Sequence, residues 1–268
     1  MLPLRPRTPV LGEGCAGMAA VSWAAFGMTP PVAYQGGTRG YAADILRHLR
    51  IWRPERIVLV ETDPWVAAAL RCAWSAPDRA RAVAICREAA ELEERQRARW
   101  NALRESMQAG KLTPDSPDAG AIWLWMRPRT VPFMQPHEAR ASDWLPRVIP
   151  GDGSCRWAAD APAASLARPL PPCRVEVRCA SIADQAPIPG AILYLDPPYQ
   201  GTTGYADGAT LTRAEVLAVA NRWRDAGCAV GVSEAEPLSD DAPALRRRGS
   251  ASRNFSSTAE HLSIWSPA

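Results

Sequence analysis

The chain predicts an α/β fold built on a doubly wound, mostly parallel sheet. Strand-length segments fall at residues 57–61, 174–179, 191–195, 228–233 and 260–265; those at 57–61, 191–195 and 228–233 are the apolar runs of buried strands, and that at 174–179 alternates. Stretches with helical character separate them, as crossover connections require. A glycine-rich turn follows the first apolar residues, and acids end the run at 57–61. Open sheets of this class bind ligands beyond the carboxyl ends of their strands, so the residues that follow each run are the candidates for function.

Bulk composition narrows the classes. The 268 residues carry a net charge of +3, with 47% hydrophobic and 22% charged residues, which is ordinary for a water-soluble domain. No stretch approaches a membrane span, and the opening Met-Leu-Pro-Leu-Arg-Pro-Arg lacks the apolar run of a secretion signal. The expectation is a cytoplasmic protein without a membrane partner. Seven cysteines, at 15, 72, 86, 155, 173, 179 and 228, are scattered without a Cys-x-x-Cys pair, and the chain has three histidines. They read as reduced thiols, and no metal site is expected. The mild positive charge neither demands nor excludes a polyanionic partner.

In chain order, Pro9-Val-Leu-Gly12-Glu-Gly14-Cys-Ala-Gly17 gives a very short apolar start and a Gly-x-Gly-x-x-Gly loop. An alanine-rich helix closed by Gly27 follows. Gly12, Gly14 and Gly17 would let the backbone approach a ligand, with helix N–H groups aimed at its polar end. Tyr34-Gln-Gly36-Gly37-Thr-Arg39 then leads into an amphipathic helix over 42–49. The run ending in Glu61-Thr-Asp63 is a buried strand, with a helix start at Pro64. Glu61 or Asp63 is placed to accept hydrogen bonds from ribose hydroxyls, and a helix cap is the other reading of Asp63.

From Ala67 to about Gly110 the pattern predicts one long, partly solvated helix, larger than a crossover needs. An inserted region over 71–169 is therefore expected between two parts, 1–70 and 170–268, of one catalytic domain. Inside it Trp123, Trp125, Arg127 and Arg129 interleave. That pattern suits stacking on bases with pairing to phosphates, and equally a core for the insertion.

Beyond the insertion, Ser181 and Ile182 follow the strand at 174–179. The run Ala191-Ile-Leu-Tyr-Leu then meets Asp196-Pro197-Pro198-Tyr199, where two prolines stop the strand. Neither proline has an N–H, so carbonyl acceptors are left beside the Asp196 carboxylate and the flat face of Tyr199. That set suits a planar substrate carrying an amino group. A polar loop follows, then a capping box at Thr212 and Glu215 opening a helix to Asp225. Ser233-Glu234 stands at the end of the next strand.

Asp196-Pro197-Pro198-Tyr199 is similar to the catalytic motif of the amino-methyltransferases of nucleic acids. The fuller Leu195-Asp-Pro-Pro-Tyr-Gln-Gly-Thr-Thr-Gly-Tyr205 resembles the Dam-like adenine-specific DNA methyltransferases, phage members included. The resemblance covers 33–65 and 174–266 and hardly touches the insertion. It implies a Rossmann-like doubly wound sheet of the S-adenosylmethionine-dependent methyltransferase type, acting on the N6 amine of adenine in DNA. Tyr34, Gly36, Gly37 and Arg39 would hold the cofactor's methionine end, although Thr38 stands where the family has lysine. Gly12, Gly14, Gly17, Glu61, Asp63, Ser181, Ile182 and Asp196 would complete the cofactor site. Trp123, Trp125, Arg127 and Arg129 fall in the target-recognition region, and Arg246, Arg247, Arg253, Ser256 and Ser257 in or before a last hairpin that faces DNA. Methylation of cytosine N4 and a DNA-binding relative without turnover are the alternatives.

Overall fold

A computed structural model of the chain describes residues 7–32, 41–88, 93–131, 134–145, 161–198, 211–238, 244–248 and 259–268. The chain divides into two compact units: Met1–Met28, Thr38–Thr62 and Pro172–Ala268 form one, and Thr29–Gly37 with Asp63–Pro171 the other.

The first unit is a seven-stranded sheet. Its strands are β1 (Val10–Gly14), β2 (Arg56–Glu61), β3 (Arg174–Cys179), β4 (Ile192–Leu195), β5 (Ala229–Glu234), β6 (Ala244–Arg248) and β7 (Ala259–Trp265). They lie in the order β3-β2-β1-β4-β5-β7-β6. The first five pair in parallel, and β7 runs antiparallel to both β5 and β6. This is the doubly wound, mostly parallel α/β sheet that the sequence predicted. Strands run outward from β1 through β2 to β3, and then from β4 to the other edge. The topological switch point therefore lies between β1 and β4.

Alternation along the strands builds two layers. Leu11 and Tyr194 face helices α1 (Ala20–Ala24) and α2 (Ala42–His48), where Val21, Ile45 and Leu49 pack. Val58, Leu193, Val230 and Val232 face the other way, onto Trp223 and Val219 of α8 (Arg213–Asp225). The capping box that opens α8 is formed, with Thr212 N–H donating to Glu215 at 2.7 Å and Glu215 N–H to the Thr212 hydroxyl at 3.2 Å.

The second unit is helical: α3 (Pro64–Trp74), α4 (Ala76–Glu88), α5 (Glu93–Gln108), α6 (Ala119–Met126) and α7 (Ala161–Leu166). The single helix expected over 67–110 is thus broken. Ser75 is extended at φ −107°, ψ 122°, which ends α3, and Pro77 sits in the first turn of α4, where its missing N–H leaves no bond unmade. Arg79 is buried and ties the unit together, donating to the carbonyls of Ala73, Ser165, Leu166 and Arg168.

Helix α6 is apolar all round, and its Trp123, Leu124, Trp125 and Met126 are fully buried, as befits a central helix. The aromatic and basic residues expected to meet nucleic acid are accordingly interior. Trp123 and Trp125 have no exposed surface, and Arg127 and Arg129 are buried. The Arg129 guanidinium stacks 4.5 Å from the Trp125 ring centroid and donates to the Trp125 carbonyl at 2.7 Å. Cation–π pairing that a base would have received is satisfied inside the unit.

Gly120 sets how closely α6 approaches α3: a Cβ there would stand 2.3 Å from the Ala68 carbonyl oxygen and 2.8 Å from the Cys72 Cβ. Backbone cannot yield as a side-chain tip can. Gly120→Ala should therefore destabilise the protein by about 3 kcal/mol, read as a lower urea midpoint.

Candidate functional site

The carboxyl edge of the sheet at the switch point gathers the chain's candidate groups. Gly14 and Leu195 are register partners across β1 and β4, and the Asp196 N–H donates to the Gly14 carbonyl at 3.3 Å. A Cβ on Gly14 would come within 2.7 Å of a Leu195 methyl and 2.8 Å of Ile182 Cγ1. Absence of a side chain here leaves room for the Leu195 and Ile182 side chains on this face of the sheet. Asp196 and Pro198 are half-buried and Pro197 is buried. Tyr199 lies outside the described residues.

The turn after β1 is tightly wound. Cys15, Gly17 and Ala19 have φ of 53°, 48° and 55°, an alternation that gathers backbone N–H groups into an acceptor-seeking concavity. Its donors are met from within: Ala16 N–H reaches the Val60 carbonyl at 3.1 Å, and Gly17 N–H the Glu61 carboxylate at 2.8 Å. A dinucleotide turn of similar sequence would offer such N–H groups to a pyrophosphate; here a carboxylate from β2 occupies that role.

Negative charge dominates the edge. The Cys15 thiol is held far above its usual range, chiefly by burial and then by the charges of Glu61, Asp196 and Glu234. It remains a neutral thiol, the unreactive form. Glu61 and Glu234 are 1% and 5% exposed, and burial raises the Glu234 carboxyl above the ordinary carboxylate range. Below Asp196, the Tyr194 and Ser233 hydroxyls share a 2.8 Å hydrogen bond that links β4 to β5. Among the described residues, no three His, Cys, Asp or Glu groups come together as a metal site.

Several expected site residues are elsewhere. Gly12 is inside β1 with Leu193 and Trp223 against it, so the glycine loop proper begins only after Gly14. Asp63 caps α3 in the second unit, accepting from Trp65 N–H at 2.8 Å and Val66 N–H at 3.2 Å. Of the two acids at the end of β2, Glu61 therefore serves the turn and Asp63 the helix. Ile182 is 2% exposed and packed in the core under Gly14, without a free face to flank a ring. The Ser181 hydroxyl accepts from Ala183 N–H at 3.2 Å, capping a short turn. Arg246 and Arg247 are on strand β6, paired in register with His261 and Glu260, rather than in a loop. Tyr34, Gly36, Gly37, Arg39, Arg253, Ser256 and Ser257 lie outside the described residues.

One acid in β1 has a role that the sequence did not suggest. Glu13, buried inside β1, accepts from Val21 N–H at 3.3 Å, Ser22 N–H at 2.9 Å and the Ser22 hydroxyl at 2.5 Å. It does for α1 what the side chain of Ala19, its cap residue, does not do. A lone acid in an apolar strand was the signal available. Burial pushes its carboxyl up to about 7, although the bonds from Ser22 and Val21 favour the charged form.

No family model matches the chain, and no curated protein does. Among solved structures, the rRNA methyltransferase aviRa from Streptomyces viridochromogenes aligns over 98% of this chain and 78% of that chain, at 16% identity and a TM-score of 0.37. A likeness that distant carries no functional inference.

Glu13 makes stability depend on pH in a defined direction. Its folded-state pKa lies above its unfolded value, so stability is full below about pH 4.5 and falls as pH rises through about 7. From pH 5 to 8 the wild type should lose about 3 kcal/mol relative to Glu13→Gln. Urea denaturation of both proteins at the two pH values measures the difference.

Proposed function

We propose that this chain is an S-adenosylmethionine-dependent methyltransferase that modifies the N6 amine of adenine in DNA. The observation that carries the reading is the position of Asp196-Pro197-Pro198: it leaves β4 at the switch point, beside the β1 turn that holds Glu61. An acceptor-rich, acidic edge fits this cofactor's chemistry, a sulfonium cation and a ribose diol without phosphate. The same edge disfavours a pyrophosphate. Glu61 would accept from the ribose hydroxyls, while Glu61, Asp196 and Glu234 favour the positive charge.

S-adenosylmethionine supplies an electrophilic methyl group. The chain's own residues handle the amine. Adenine N6 is inaccessible in a stacked duplex, so the base must be flipped out, at a few kcal/mol, and Tyr199 offers the face on which it stacks. Asp196 and the Pro197 carbonyl accept the two amine N–H bonds and turn the nitrogen lone pair toward the methyl. The amine is a weak nucleophile because its lone pair is delocalised into the ring, so fixing its orientation supplies much of the rate. Asp196 also stabilises the charge that develops on nitrogen. Cys15, kept as a thiol at the same edge, does not compete for the methyl group.

Asp196→Ala should cut transfer of labelled methyl groups to DNA by at least about a hundred-fold while the melting temperature stays within a few degrees. Transfer at the wild-type rate overturns the mechanism, and mapping the modified base separates adenine N6 from cytosine N4. Glu61→Gln should weaken cofactor binding about ten-fold, measured by calorimetric titration with S-adenosylmethionine. Equal affinity of the two proteins removes Glu61 from the site.

A further inference from the structure

The opposite, amino-terminal end of the same sheet carries a surface that the proposed reaction does not use. Helix α2 ends at His48, and the chain turns through Leu49-Arg50-Ile51-Trp52-Arg53 into β2. Trp52, at 41%, is the exposed large hydrophobic residue among those described. The Arg53 guanidinium stands 5.4 Å from its ring centroid. Arg7, His48, Arg50 and Arg53 are all exposed, with Glu55 the exposed acid of this stretch. Thr8 fastens the loop, donating its N–H to the Trp52 carbonyl and accepting from Trp52 N–H, both at 2.9 Å. Ile51 is buried beneath it. The ring is therefore presented on a braced loop.

The backbone adds an independent observation. Ile51 N–H reaches back to the Leu46 carbonyl at 2.9 Å, closing α2 with Arg50 in the left-handed position at φ 56°. Glycine is the residue that this position favours. Arg53 is left-handed as well, at φ 39°. Arginine thus stands at both left-handed positions of one loop, where a side chain works against the fold, and both flank the exposed ring.

We infer that this loop is a contact surface for single-stranded nucleic acid, with Trp52 stacking on a base and Arg50, Arg53 and Arg7 pairing with phosphates. An aromatic face among guanidinium groups is the composition such surfaces use, and the charge excess matches a polyanion. The inference borrows from the proposed reaction only the kind of polymer. It gives the nucleic acid a hold outside the reactive edge: β2 runs from beside the loop at Arg56 to Glu61, roughly 17 Å at strand rise. That is about five steps of a stacked strand.

Fluorescence anisotropy of a labelled, mixed-sequence DNA single strand tests this, without needing methyl transfer. Trp52→Ala should weaken binding about ten-fold. Arg50→Gly combined with Arg53→Gly should lower the salt-dependence slope by about 1.4 and leave the melting temperature unchanged or higher, since glycine suits both positions. A purely structural loop predicts the reverse: firmer folding with unaltered binding. Unchanged affinity and slope in these variants overturn the inference, as does Trp52-dependent self-association without oligonucleotide binding. Loss of methyl transfer with binding retained would instead count against the proposed reaction alone.

Discussion

Parallel pairing of β1 with β4 is the constraint on which the carboxyl edge depends. Gly14 leaves room at its end: a Cβ at this position would press on the Leu195 and Ile182 side chains. Two neighbouring strands whose connections run to opposite sides leave a crevice at their carboxyl ends. The Asp196 N–H bonded to the Gly14 carbonyl shows how nearly level they are. Placement of the acceptor groups around Asp196 follows from strand packing, before any side-chain chemistry enters.

The turn leaving β1 is built against electrostatic convention. A glycine-containing turn before a helix is ordinarily a cradle for an anion from outside, yet Glu13 caps the helix from within the strand and Glu61 answers the Gly17 N–H. Both acids are nearly inaccessible to water. Burial favours protonation of Glu13, and at Cys15 its own burial, reinforced by the charge of Glu61, keeps the thiol neutral.

The helical unit shows how one set of residue types serves two ends. Tryptophan and arginine interleaved over 123–129 make the contacts that a nucleic-acid surface would make, but with one another. Arg129 lies on the Trp125 ring and bonds the carbonyl of the same residue, and Arg99 covers Trp125 as well, 4.9 Å from its centroid. By contrast, Trp52 and Arg53 repeat the pairing on an exposed loop. Only accessibility tells the two apart.

From the sequence alone, the sheet and the carboxyl ends of its strands were legible. Strands buried on both faces are continuous apolar runs, and proline pairs or acids at their ends mark where each run must stop, so the places of Glu61 and Asp196 at strand ends were legible without coordinates. Helix caps at Thr212 and Asp63 were readable because a cap is a local hydrogen bond. What tertiary structure alone decided were matters of distance along the chain. That Glu61 meets the N–H of Gly17, 44 residues away, depends on how β1 and β2 align. Whether Ile182 flanks a ring or fills the space under Gly14 depends on β4, and whether Trp123 and Arg129 meet solvent depends on which helices surround α6. A residue's type sets what it can bond to, and the packing of remote segments determines which partner reaches it first.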